Sequence, residues 1–96
     1  MCNPKENIDT LYYAVMQEAS QTPDSGMEIH FTNEPDSVHY LRNTIITAIE
    51  KLMGKYEYWV HRKELNILCA IVVKAKSCEE LLPVLKRVNK IISQIQ

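Results

Sequence analysis

Leu65-Asn66-Ile67-Leu68-Cys69-Ala70-Ile71-Val72-Val73 is the stretch on which the fold turns. It is the longest apolar run in the chain and is rich in β-branched residues, which suit a pleated, half-buried surface. In an extended strand, successive side chains point to opposite faces. Leu65, Ile67, Cys69, Ile71 and Val73 then line one face without a break. Asn66, Leu68, Ala70, Val72 and Lys74 line the other, which is apolar in the middle and polar at its ends. A strand apolar on both faces belongs at the centre of a sheet, covered above and below. This reading makes the stretch a central strand and asks which element covers its Leu68, Ala70 and Val72 side.

Just before it, residues 56–61 alternate. Tyr56, Tyr58 and Val60 face one way, and Glu57, Trp59 and His61 the other. The short connection Arg62-Lys63-Glu64 predicts a hairpin between the two strands, although its turn lacks glycine. Residues 27–32 alternate strictly, with Met27, Ile29 and Phe31 opposite Glu28, His30 and Thr32, and predict a half-buried strand. Three helices complete the pattern. Asn3, Pro4 and Glu6 open the first, whose stripe of Ile8, Leu11, Tyr12, Val15 and Ala19 carries it to about residue 20. A loop follows at residues 21–26. Asn33-Glu34-Pro35-Asp36 opens the second, with Val38, Leu41, Ile45, Ala48, Ile49 and Leu52 on one face and Gly54 placed to end it in the left-handed conformation. Ser77 and Glu80 form a capping box for the third, which carries Leu81, Val84, Leu85, Val88, Ile91, Ile92 and Ile95. Pro83 lies beyond its first turn and predicts a distorted or late start.

The predicted order is α-β-α-β-β-α. From residue 27 onward it resembles a ferredoxin-like unit without its last strand. The expectation is a single α+β domain over residues 1–96: an N-terminal helix at 1–20, a loop at 21–26 and a βαββα unit at 27–96. Two helices would cover one face of a three-stranded antiparallel sheet. The N-terminal helix would cover the other face or enter a dimer contact.

Composition narrows the function without naming it. The 96 residues are 46% hydrophobic and 24% charged, with a formal net charge of −1. A near-neutral chain offers no global attraction to nucleic acid or anionic membrane, and no apolar stretch approaches the ~20 residues of a membrane span. Cys2, Cys69 and Cys78 make an odd cysteine count, and the first residues lack an apolar secretory core. Together these predict a cytoplasmic protein without a disulfide framework.

No motif announces chemistry. The only glycines are Gly26 and Gly54, so a phosphate-cradling loop is missing, as is the Gly-x-x-Gly clamp of KH-type RNA domains, whose strand–helix order is similar. His30, His39 and His61 have no ligand partners at metal spacing, and no metal or other cofactor is expected. On the expected sheet, His30 and His61 share a face with Glu28 and Glu57, the one candidate cluster for acid–base catalysis in a small dimeric enzyme. Lys86, Arg87 and Lys90 are the one basic concentration, a candidate nucleic-acid contact and, more simply, the solvated side of a helix. The reading best supported is a non-enzymatic interaction or regulatory module. It would act as a homodimer, and bind a further protein, through an apolar sheet face of Trp59, Leu68, Ala70 and Val72, with Ile29, His30 and His61 at its margin. No catalytic residue is assigned.

Overall fold

The computed structural model describes residues 8–20 and 34–95, and every regular element among them is helical. Helix α1 spans Ile8–Glu18, α2 Pro35–Met53, α3 Arg62–Lys74 and α4 Cys78–Ile95, with a 3₁₀ helix at Tyr56–His61 leading directly into α3. The α+β, ferredoxin-like expectation is therefore overturned. The central strand is α3, the strand at 56–61 is the 3₁₀ helix, and the hairpin between them does not exist. The expected strand at residues 27–32, with Ile29 and His30, lies outside the described residues, as do Cys2, the loop at 21–26 and the expected helix start at Asn3.

The decisive stretch satisfies two periods at once. Leu65, Leu68, Cys69, Val72 and Ala75 recur at i, i+3, i+4, i+7 and i+10, one face of a helix. Leu65, Leu68, Val72 and Ala75 are buried, while Ile67, Ile71 and Val73 stand out in solvent. A central strand needs neighbours on both edges to satisfy its N–H and C=O groups, whereas a helix satisfies its own. The β-branched run Ile71-Val72-Val73 costs a helix about 0.5 kcal/mol per residue relative to alanine. Burying Leu65, Leu68 and Val72 returns about 1.5–3 kcal/mol each, so packing outweighs propensity.

Helices α2 and α4 follow their stripes. Val38, Leu41, Ile45, Ala48, Ile49 and Leu52 are buried on α2, and Leu81, Val84, Leu85, Val88, Ile91 and Ile92 on α4. Glu34 occupies the N-cap of α2, with Pro35 opening the helix and Asp36 in its first turn. Ser77 caps α4: the Glu80 N–H donates to its Oγ at 3.3 Å. The helix continues through Pro83 without a late start. Gly54 differs from expectation, since its φ of −78° is right-handed; its N–H donates to the Glu50 and Lys51 carbonyls. The left-handed position is instead Ser20, φ 54°, just beyond α1.

Each helix packs against two main neighbours, α1 and α3 both against α2 and α4. Hydrogen bonds fix the directions. Tyr12 donates to Thr44 at 3.0 Å, and Tyr58 and Lys55, just past α2, donate to the Glu18 carboxylate and carbonyl, each at 2.6 Å. Contacts that advance together place α1 parallel to α2. Arg42, early in α2, donates to the Ala75 carbonyl after α3 at 2.8 Å, so those two helices run antiparallel. Asn89 ties α4 to α1 through the Leu11 carbonyl at 3.0 Å.

Candidate interaction surface

The 3₁₀ helix sets up the exposed face. With three residues per turn, side chains at i and i+3 eclipse. Tyr58 and His61 therefore share one ridge, Tyr56 and Trp59 a second, Glu57 and Val60 a third. The first ridge points inward: Tyr58 is fully buried, with its hydroxyl on Glu18, and His61 is half-buried. The other two ridges are left in solvent. Tyr56 and Val60 are each 86% exposed and Trp59 65%. The Arg62 guanidinium lies 5.8 Å from the centre of the Trp59 ring, an approach that favours a cation over the π face.

Helix α3 extends this surface. Ile67, Ala70, Ile71 and Val73 are exposed and linked by steps of three and four residues, so they form one continuous patch on its outer side. Lys63, one turn before Ile67, and Lys74, one turn after Ile71, frame it and are exposed. Toward α4 the flank is closed by an ion pair in which Arg87 donates through Nε and Nη2 to the two oxygens of Glu64. The hydrogen bond from Arg87 holds the Glu64 carboxyl below its ordinary range, against partial desolvation, and the positive fields of Arg87, His61 and Lys90 add to it.

Charge divides along the chain. From Lys55 onward there are eight Lys and Arg against four Asp and Glu, whereas residues 1–54 carry three against eight. The near-neutral total hides a basic second half, and the apolar patch sits within it.

The sequence-derived site is only partly assembled. Trp59 and Ala70 lie on the exposed surface and His61 at its base, but Leu68 and Val72 are buried in the core and present nothing to a partner. Tyr56, Val60, Ile67, Ile71 and Val73 replace them. The helical repeat would have found these residues, because it places Ile67 and Ile71 opposite Leu65 and Val72. Lys86, Arg87 and Lys90 sit on α4, where Arg87 is committed to Glu64.

An open depression of about 240 Å³ is lined by Ala14, Gln17, Glu18 and Ile92, smaller than the ~300–1,000 Å³ of ordinary ligand sites. Among the described residues no three His, Cys, Asp or Glu side chains converge as metal ligands. Burial first, and the Glu50 and Glu79 carboxylates second, push the thiols of Cys69 and Cys78 up. No helix among the described residues is long and apolar enough to cross a membrane. Comparison with protein-family models, with curated proteins and with solved structures finds no match to this chain.

Proposed function

We propose that this protein is a small non-enzymatic interaction module whose contact surface is the outer side of the 3₁₀ helix and α3. The observation that carries the reading is the exposure of Tyr56, Trp59 and Val60 beside Ile67 and Ile71. Contiguous apolar surface of this kind marks a binding site more often than a solvated face. Trp, Tyr and Arg are also the residues that dominate interface energetics, and here they stand together as Trp59, Tyr56 and Arg62.

Self-association, the contact expected from the sequence, has lost its sheet face. Two copies meeting on the new surface would bring the Arg62, Lys63 and Lys74 cations of one close to those of the other, in a parallel or an antiparallel pair, which opposes a symmetric pair at low salt. A different partner is the better reading.

A photo-crosslinking side chain at Val60 or Ile67 tests it in cells. Discrete protein adducts are expected from those two positions, and none from Thr47 on the exposed side of α2. Equal adducts from all three, or none from Val60 and Ile67, would remove the proposal.

A further inference from the structure

Building on that reading, we infer that the partner is an acidic amphipathic helix, laid along α3 with its apolar side chains against Ile67, Ala70 and Ile71 and its carboxylates over Arg62, Lys63 and Lys74. Shape and charge point the same way. The apolar row repeats at helical spacing, and a second helix with anchors at i, i+3 or i+4 and i+7 interdigitates with such a row. The cations stand at its margins: Arg62 and Lys63 at one end, Lys74 at the other, all exposed. Glu64, the acid nearest them on α3, is already neutralised by Arg87. The surface therefore offers uncompensated positive charge around an apolar strip, which a carboxylate-bearing partner complements. A lipid surface fits less well, because a flat anionic membrane on this side would also have to meet Glu57, on the Val60 ridge of the 3₁₀ helix, whereas a helix laid along α3 does not reach it.

Selection from a displayed library of helix-length peptides on the intact protein tests the chemistry of the partner directly. Selected sequences are expected to be net acidic, with apolar residues at helical spacing. They should bind at least about tenfold more weakly to an Ile67→Ser/Ile71→Ser variant, and about threefold more weakly for each reversal among Arg62→Glu and Lys63→Glu. Arg62 and Lys63 are exposed, so their reversals should keep the parent's far-UV spectrum and melting curve; Ile67 and Ile71 are about half exposed, so the serine variant should keep the far-UV spectrum, melt several degrees lower and still be fully folded at the binding temperature. Trp59, the chain's single tryptophan, should shift its emission to the blue when peptide binds.

Neutral or basic winners that still need Ile67 and Ile71 would overturn the acidic-helix inference and leave the interaction surface standing. Winners indifferent to the serine variant would overturn both. Two control arms cover other occupants. A blue shift produced by phosphatidylserine vesicles, and not by peptides, would replace the helix with a membrane. Concentration-dependent dimerisation abolished by the serine variant would replace it with a second copy.

Discussion

Leu65 and Ile71 have nearly equal side chains, six residues apart, and the two possible periods of the stretch assign them different fates. An alternating strand puts both on one buried face. The helix buries Leu65 completely and leaves Ile71 44% exposed. Leu65→Ala removes three carbons from the core, about 2.4 kcal/mol at ~0.8 kcal/mol each. The residual cavity raises this to about 3 kcal/mol, inside the ~2–5 kcal/mol range for such truncations. Ile71→Ala removes as many carbons, but only a little over half of that surface is shielded, about 1.3 kcal/mol. Alanine's better helix propensity returns about 0.4 kcal/mol, for a net loss of about 1 kcal/mol. Urea titration followed by far-UV circular dichroism measures both, with an unchanged slope showing that the unfolding reaction is the same. Equal losses for the two variants, or a larger one for Ile71→Ala, would refute the helical register and with it the exposed patch.

The buried tyrosine gives an alkaline signature. Tyr58 titrates well above an ordinary tyrosine, because burial disfavours its anion and its hydroxyl donates a hydrogen bond to the Glu18 carboxylate. A folded value above the unfolded one means the stabilisation is complete below about pH 10 and is lost as pH rises beyond it. Tyr58→Phe should cost about 1 kcal/mol at neutral pH and weaken that alkaline decline, as melts over an alkaline series would show; an undiminished decline would remove Tyr58 as its source. Glu64 acts in the opposite direction. Its depressed folded value gives stability present above about pH 4.3, the ordinary glutamate range, and lost as pH falls through the folded value. Glu64→Gln should flatten the acid limb of melting temperature against pH, and an unchanged limb would show that the pair with Arg87 does not form in solution. At Gly54, where φ is right-handed and an added Cβ would meet nothing closer than the Lys51 carbonyl at 3.5 Å, Gly54→Ala should stabilise by about 0.5–1 kcal/mol. A loss of that size in the same urea titration would mean a left-handed position.

Helices α2 and α4 were legible because their apolar residues fit the 3.6 period and fail the period of two: Leu41, Ile45, Ala48 and Leu52 admit no alternating face. Pro35 and Ser77 marked their starts for local steric and hydrogen-bonding reasons that survive in the fold. The region from Tyr56 to Val73 was not legible in the same way. From Leu65 to Val73 every position but Asn66 is apolar, so alternation counts the outward Ile67, Ile71 and Val73 as core and looks complete. The helical template explains fewer apolar residues, yet it also accounts for the polar positions, with Lys63, Asn66 and Lys74 all on the outside. The absence of a turn glycine between His61 and Leu65 carried the same message. Alternation sets Trp59 opposite both Tyr56 and Tyr58; eclipsing at three residues keeps it away from the buried Tyr58 but brings Tyr56 round beside it and turns His61 to the Tyr58 side. Leu68 and Val72, assigned to the surface by alternation, are the residues that hold α3 to the bundle.

Backbone carbon chemical shifts and medium-range NOEs across residues 56–74 test the central claim most directly. Helical secondary shifts continuous from Arg62 to Lys74, with i to i+3 contacts and no ladder of cross-strand contacts between residues 56–60 and 66–73, are the predicted result. Extended shifts with cross-strand contacts between those two segments would contradict it, and would return Ile67 and Ile71 to the interior.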